Sequence, residues 1–281
     1  GSEAIGGVIN LITKLGENTP KFSVDSFVSG WGELNTDIGY KYTLSKKSKG
    51  LLGINYFNYS NPIDKNNDGF TDLTFQDRIS IFNKFSFGNN FSFATRYLYE
   101  DRWGGELDWT PKYRGGDVFY GESIYTSRFE IFGNYQFNNS VSFQFSFNDH
   151  NQDSVYGTTF FNADQTISFA QMTWNKKIRK NKFLLGIAYR YTYYDDDTTA
   201  TYDENENRNS KSITHLPGVF IQNQTKINEK NTLLAGLRFD YNTIHGSVIT
   251  PRLNYKLNNI DKTSTLRISA GTGYRVAQVF T

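Results

Sequence analysis

The sequence contains no cysteine, one methionine and five prolines in 281 residues. The lack of cysteine excludes disulfides, thiolate metal sites and cysteine nucleophiles. No stretch approaches the roughly 18 consecutive apolar residues that a membrane helix needs, so any membrane span must be a β-strand. The net charge is +2, from 30 basic and 28 acidic residues. This balance does not provide the strongly positive field of a nucleic-acid binder, and we expect no nucleic-acid partner.

Aromatic residues, in contrast, are abundant. They make up 17% of the chain, against 37% for all hydrophobic residues, while the mean hydropathy is only −0.57. Transmembrane β-barrels combine these properties, because their lipid-facing positions favour aromatic rings while the other strand face and the loops are polar. The composition therefore favours a β-barrel in a membrane.

Hydrophobic residues alternate with polar ones along much of the chain. In SVSFQFSFND, the odd positions from Val141 to Phe147 are apolar and the even positions from Ser142 to Asn148 are polar. This period of two predicts a strand with one apolar face. We predict about thirteen such strands, centred near residues 25, 39, 55, 81, 95, 131, 144, 171, 188, 222, 237, 253 and 269; the first and eighth have the weakest pattern.

The predicted connections alternate between short and long. Short turns are expected at 46–50, 88–90, 138–140, 179–181 and 228–231, and longer loops at 61–73, 102–123, 151–165 and 195–212. Outer-membrane barrels alternate in this way between periplasmic turns and extracellular loops. A soluble sandwich has no reason to keep that asymmetry, and a β-helix or propeller requires a repeat that is absent. We therefore predict an all-β fold, an antiparallel transmembrane β-barrel in the outer membrane of a Gram-negative bacterium.

The first residues carry a recognisable motif. SEAIGGVINLITK resembles the end of the plug domain of TonB-dependent outer-membrane receptors, and the matching positions include Glu3, Ala4, Gly6, Gly7 and Asn10. The paired glycines permit close backbone approach, and the apolar strand after them can pack inside a plug. The resemblance implies that residues 1–15 end a plug domain and that 20–281 form the first and middle parts of a barrel.

A second match lies near the other terminus. LRISAGTGYRVAQVFT resembles a mid-barrel strand of the same family, and Leu266, Gly271, Gly273, Tyr274 and Arg275 fit. The resemblance implies a barrel of 22 strands, of which this chain supplies about 13, and a longer protein that has most of its plug and an energy-coupling segment before residue 1. The implied partners are the TonB complex, outer-membrane lipid, a nutrient ligand and a surface lipoprotein.

The function implied by this family is active uptake of a scarce nutrient. A ferric siderophore is the expected ligand, with cobalamin, haem, a copper complex or an oligosaccharide as alternatives. A passive porin-like or adhesive barrel is the alternative from another functional class. No enzyme is expected, because His150, His215 and His245 lie in separate segments and no Ser/His/Asp grouping is linked by a local motif.

Residues 64–72 read DKNNDGFTD. Asp64, Asn66, Asp68 and Asp72 occupy positions 1, 3, 5 and 9 of a calcium loop, with glycine at position 6. The twelfth position is Phe75, where an EF-hand has a bidentate glutamate. The segment therefore predicts either a structural calcium site or a solvated, asparagine- and aspartate-rich turn without an ion. No other cofactor is expected.

The predicted loop 102–123 concentrates aromatic and basic residues, which we expect above the lumen. Aromatic rings beside cations are suited to a flat or anionic ligand such as a ferric catecholate. The alternative is packing between loops. The predicted substrate-binding residues are Trp103, Trp109, Lys112, Tyr113, Arg114 and Tyr120.

Overall fold

A computed structural model describes residues 19–198, 201–203, 208–259, 261 and 263–276. The predicted plug segment 1–15, with Glu3, Ala4, Gly6, Gly7 and Asn10, lies outside the described residues. The described residues contain no helix that is long and apolar enough to cross a membrane.

The structure is dominated by one antiparallel sheet of thirteen strands. All thirteen predicted strands are present. Neighbouring strands follow one another in sequence, except that a separate short hairpin is inserted between the ninth and tenth strands of the sheet. The strands are β1 (Phe22–Val28), β2 (Leu34–Ser45), β3 (Ser48–Tyr59), β4 (Phe75–Phe87), β5 (Phe91–Gly105), β6 (Gly121–Gln136), β7 (Val141–Tyr156), β8 (Thr159–Ile178), β9 (Asn181–Asp196), β10 (Tyr202–Asp203), β11 (Arg208–Asn209), β12 (Ser212–Lys226), β13 (Asn231–Asn242), β14 (Gly246–Asn258) and β15 (Thr265–Gly271).

The alternation of the sequence gives this sheet two chemically different faces. We call the apolar one the outer face; its exposed side chains include Ile81, Ile187, Val219, Leu237 and Leu253. The opposite, inner face carries charged side chains, including Arg96, Glu130, Arg238 and Asp240. A barrel wall in a membrane needs this division, because one face meets lipid and the other meets the polar lumen.

Aromatic rings form two belts on the outer face. One belt lies beside the short turns that follow β2, β4 and β6, where the Phe85 and Phe93 rings stack with centroids 5.0 Å apart. The other lies towards the long loops and includes Tyr97, Tyr99 and Tyr189, which are about 40% exposed. Two aromatic belts that flank an aliphatic band are the expected interface anchors of a membrane barrel.

The predicted loop at 151–165 is wrong. β7 continues to Tyr156 and β8 begins at Thr159, so only residues 157 and 158 connect them, with Gly157 at a φ of 60°. The eighth strand, whose pattern was weak, is the longest at 20 residues. Residues 148–154 are polar on both faces, so hydrophobic alternation does not mark this part of β7, and the pairing of β7 with β8 extends both strands.

Candidate ligand-binding site at the loop end of the sheet

The long connections gather at one end of the sheet. The connections 29–33, 60–74 and 106–120 lie there, whereas the other end has the short turns 46–47, 88–90 and 179–180. The confirmed loops 60–74 and 106–120 touch each other, since Phe70 pairs with Glu106 and the Leu107 N–H donates to the Gly69 carbonyl at 2.9 Å. A ligand arriving from this side meets these two loops.

Loop 60–74 folds over the inner face. Gly104 belongs to the inner face of β5, and a methyl group added there would lie 3.1 Å from Thr74 and 3.4 Å from Thr71. The Thr71 N–H donates to the Gly105 carbonyl at 2.9 Å. The loop is therefore fixed against the end of β5 on the side that faces the lumen in a closed barrel.

Loop 106–120, in contrast, packs against the outer face. Trp109 is 2% exposed, its ring centroid lies 4.8 Å from that of Trp103, and a methyl group on Gly121 would lie 2.5 Å from its indole. Arg114 binds the Asp153 carboxylate at 2.7 Å and lies 4.7 Å from the Tyr125 ring centroid. Trp109 and Arg114 therefore do not lie above the lumen as expected, because outer-face side chains hold both of them.

Of the other predicted substrate-binding residues, Trp103 lies on the outer face of β5. Lys112 and Tyr113 lie at the loop tip, and Tyr120 lies towards the inner face. Lys112 is exposed, and its Nζ lies 4.6 Å from the ring centroid of Tyr113, which itself packs against Phe119 at the loop tip. The ring centroids of Tyr120 and Phe70 lie 6.3 Å apart. The Tyr120 hydroxyl donates to the carboxylate of Glu122, an inner-face residue, at 2.7 Å. Of the six predicted residues, Tyr120 is thus on the inner side.

The hydrogen bond to Glu122, with a smaller contribution from burial, raises the pKa of Tyr120 above its usual value. The phenol therefore stays protonated and donates this hydrogen bond at neutral pH.

The sequence analysis missed a cation–aromatic pair. Lys65 Nζ lies 3.9 Å from the ring centroid of Trp31, which is 47% exposed. The Asn61 side-chain amide donates to the Trp31 carbonyl at 3.1 Å and ties loop 29–33 to loop 60–74. A tryptophan between two glycines in a short turn was the available signal. The pair resembles in chemistry the contacts expected for a flat anionic ligand.

The aspartates of loop 60–74 adopt an ordered turn. The Asp64 carboxylate accepts the N–H groups of Asp68 at 3.3 Å and Gly69 at 2.9 Å. Asp72 accepts the Lys65 N–H at 2.9 Å. Gly69 has a φ of 84°, which a glycine adopts without strain.

These bonds occupy carboxylate oxygens that an ion needs. Within the described part of the chain, no group of three or more His, Asp or Glu side chains is arranged to hold a metal ion. Calcium at Asp64, Asn66, Asp68 and Asp72 stays a prediction.

Polar side chains of the inner face contact one another within the wall. Arg96 binds Glu130 at 2.6 Å, Arg128 contacts His150 at 3.3 Å, and Arg238 binds Asp240 at 2.6 Å. Arg96 and Glu130 are direct cross-strand partners, as are Arg128 and His150. Arg238 and Asp240 lie two residues apart on β13. Two of these contacts, Arg96 with Glu130 and Arg238 with Asp240, pair opposite charges within the described wall.

The aspartate that ends β9 is buried. Asp196 is 3% exposed and accepts hydrogen bonds from Tyr194 at 2.5 Å and from Thr201 at 2.7 Å. This carboxylate therefore organises the start of the connection.

Comparison with known proteins identifies the family. The family model described as TonB dependent receptor-like, beta-barrel matches residues 13–281. No curated protein matches the sequence.

Solved structures match the fold at low sequence identity. A mutant of the Pseudomonas aeruginosa ferric enterobactin receptor in complex with enterobactin has a TM-score of 0.69 and 15% identity over 98% of this chain and 47% of that one. The siderophore receptor PirA from the same organism has a TM-score of 0.61 and 9% identity, over 88% of this chain and 40% of that one. The ferric-catecholate import receptor Fiu of Escherichia coli K12 has a TM-score of 0.56 and 9% identity, over 92% of this chain and 51% of that one. The chain spans about half the length of these receptors or less.

The strand order, the apolar outer face and the loop asymmetry agree with this match. Members of the family reside in the Gram-negative outer membrane and are transporters, not enzymes. The chain belongs to the TonB-dependent receptor family, and its described strands are part of the outer-membrane barrel of such a receptor.

Proposed function

We propose that this chain is the barrel wall of a receptor that takes up a ferric siderophore, driven by the TonB energy-coupling complex. The family match over residues 13–281 carries the proposal. The ligand class is supported by solved receptors of the same fold, which are described as receptors for ferric enterobactin, siderophores and ferric catecholates.

The inner-side loop residues supply suitable contacts. Trp31 with Lys65, and Phe70 with Tyr120, form two exposed pairs that present ring faces and one cation. A catecholate offers flat rings and negative charge to such groups. We propose these four as ligand contacts. Trp103, Trp109, Lys112, Tyr113 and Arg114 then build and anchor the neighbouring loop.

Ligand binding by the full-length receptor tests this proposal. Ferric catecholate, cobalamin and haem are titrated while intrinsic tryptophan fluorescence is followed. We expect the ferric catecholate to bind, and a Trp31→Ala, Lys65→Gln double variant to bind about five- to thirtyfold more weakly, since one such pair contributes about 1–2 kcal/mol.

Lys211→Gln is the matched control, because Lys211 lies 5.9 Å from the Tyr193 ring centroid on the outer face. Its affinity should equal that of the wild type. Preferential binding of cobalamin or haem would contradict the ligand class, and an equal loss in both variants would contradict the contact residues.

A further inference from the structure

The inner face has a hollow where β12, β13 and β14 lie side by side. Its volume is about 290 Å³, and the residues that line it include Leu184, Phe220, Gln222, Gly236, Thr250 and Arg252. Gln222, Gly236 and Arg252 are direct cross-strand partners in one row. Gly236 therefore forms the floor of the hollow between two polar side chains. Because Gly236 lies in the middle of β13, the hollow is at mid-height of the wall.

Gly236 differs from the neighbouring glycines of the inner face. A Cβ atom on Gly186 would overlap the Phe220 ring, and one on Gly218 would overlap the Asp240 carboxylate. At Gly236 the nearest atom would be 3.5 Å away, which is an ordinary contact, and its φ is not positive. Neither packing nor backbone geometry therefore requires a glycine there. Glycine weakens the interior of a strand, and it commonly marks a position that a ligand approaches closely.

The polar groups beside Gly236 are not engaged by the wall. Among the residues that the structure describes, the Arg252 guanidinium and the Gln222 side-chain amide have no hydrogen-bond or ion-pair partner. Arg238, in contrast, is paired with Asp240 at 2.6 Å. An arginine that serves only to hold the wall together calls for such a partner. Arg252 is exposed instead, so its N–H groups can bind a group that enters the lumen.

The charge around the hollow is positive. Asp240 is the acidic residue on the inner face of β12 to β15, and Arg238 already pairs with it. The basic residues on the same face of these four strands are Lys226, Arg238, Arg252, Lys256 and Arg267. A guanidinium without a partner in such surroundings favours an anion, and its planar fork matches two neighbouring anionic oxygens.

Apolar groups form the rest of the wall. The Phe220 ring lies over Gly186, and the centroid of this ring is 5.4 Å from Arg238 Cζ. Leu184 adds an aliphatic surface. A ring and an aliphatic chain beside a guanidinium and an amide suit an aromatic group that carries anionic oxygens. The volume is at the low end of ligand pockets, about 300–1,000 Å³, so the hollow suits one ring of a ligand rather than a whole chelate.

We propose that this hollow is a lumen subsite that binds one anionic aromatic arm of the transported ligand, a catecholate or a benzoate, while the ligand passes the wall. Arg252 binds the anionic oxygens, Gln222 adds a hydrogen bond, Phe220 packs on the ring, and Gly236 leaves the space. This inference rests on the proposed function, because it concerns the same ligand after it has left the loops.

The first test measures the charge preference of the hollow without any siderophore. Gly236→Cys is introduced into a full-length receptor that has no other cysteine. The reaction rates with anionic 2-sulfonatoethyl and cationic 2-(trimethylammonio)ethyl methanethiosulfonate are compared with those of free cysteine. We expect the anionic reagent to be favoured relative to free cysteine, and Arg252→Gln to reduce this preference about tenfold, because the cation acts on the two reagents in opposite directions.

Arg267→Gln is the matched control for the labelling. It removes the same charge from the same face, but Arg267 lies four residues along β15 from Gly271, the cross-strand partner of Arg252. The preference for the anionic reagent should persist in this control. Equal effects of the two substitutions would overturn the proposal. Failure of both reagents to react would also overturn it, because a plug side chain or another part of the protein would then fill the hollow.

The second test follows iron uptake from a ferric catecholate by cells that express the full-length receptor. Arg252→Gln and Gly236→Val should lower the maximum uptake rate about tenfold while surface binding measured without TonB stays at the wild-type level. Gly236→Val fills the hollow and keeps the arginine, so it separates loss of the site from loss of charge. Wild-type rates in both variants would overturn the subsite and leave the proposed function standing. If the wild-type receptor takes up no ferric siderophore, the proposed function fails, and the labelling alone decides whether the hollow prefers anions.

Discussion

At the scale of single residues, the inner face is stabilised by ion pairs of very different exposure. Arg238 donates to both carboxylate oxygens of Asp240, whose side chain is fully buried. Breaking such a pair leaves an uncompensated charge and typically costs about 3–5 kcal/mol. Asp240→Ala should therefore lower the urea midpoint for unfolding of the full-length receptor in vesicles.

The exposed pair of Lys226 and Glu229 provides the comparison. Their side chains are 53% and 82% exposed at a separation of 2.9 Å. Because water screens the two charges, such a pair contributes only about 0–1 kcal/mol to the free energy of unfolding. Glu229→Ala should leave the urea midpoint nearly unchanged, and equal shifts for both variants would refute the assignment of Asp240 as a buried charge.

Glycine positions give a second prediction at this scale. A methyl group on Gly133 would lie 2.7 Å from both the Phe145 ring and the Ser92 carbonyl oxygen. Because backbone cannot yield as a flexible side chain does, Gly133→Ala should destabilise the barrel by about 1–3 kcal/mol, measured by the same urea titration. Gly236→Ala is the control, since the nearest atom there is 3.5 Å away. Equal stability of the two variants would contradict the packing described.

At the scale of elements, the strands were predictable and the directions of the loops were not. The alternation of hydrophobic and polar residues predicted the strands of the main sheet, because a membrane wall must separate apolar from polar side chains. The extension of β7 and β8 to Tyr156 and Thr159 was missed, since residues 148–154 are polar on both faces and show no alternation. The loops fold inward or outward through contacts at Gly104 and Gly121. No local pattern encodes those contacts.

Trp109 anchors loop 106–120 as a unit. Replacing a buried tryptophan by alanine typically lowers stability by about 3–5 kcal/mol. Here the loss should weaken the attachment of the loop and leave the pairing of the strands intact. Trp109→Ala should make this loop susceptible to limited proteolysis while the barrel stays folded and heat-modifiable in gel electrophoresis. Val118→Ser, at a position 65% exposed in the same loop, should keep the wild-type cleavage pattern. Protection of both variants would show that Trp109 is not the anchor.

Loop 60–74 carries the calcium prediction. If the ion binds, Asp64, Asn66, Asp68 and Asp72 supply oxygens once the Asp64 and Asp72 bonds to backbone N–H groups are shared. We expect calorimetry of the full-length receptor to show binding near millimolar calcium, the range of weak extracellular modules. Asp68→Ala should abolish this heat, whereas Asp117→Ala in the other loop should not. No heat from the wild type would leave the ion-free turn as the explanation.

At the scale of the whole molecule, the sequence indicated an outer-membrane barrel because composition, alternation and loop asymmetry agreed. The binding site was less accessible. Trp103, Trp109 and Arg114 have the right chemistry for a ligand, but ring packing engages the two tryptophans and Asp153 engages the arginine. Trp31 and Lys65 become neighbours only through the fold. The residue type shows which interactions a side chain can make, and the direction in which its loop folds decides whether its partner is a ligand or the protein itself.

The most direct test of the central claim is uptake of radioactive iron from ferric siderophores by cells that express the full-length receptor as their sole route for these chelates. The account predicts saturable uptake that stops when TonB is deleted, since transport past a plug requires energy, while surface binding persists. Uptake that continues without TonB would indicate a passive channel and contradict the account. Failure to take up any ferric siderophore, with the receptor folded in the membrane, would contradict the ligand class.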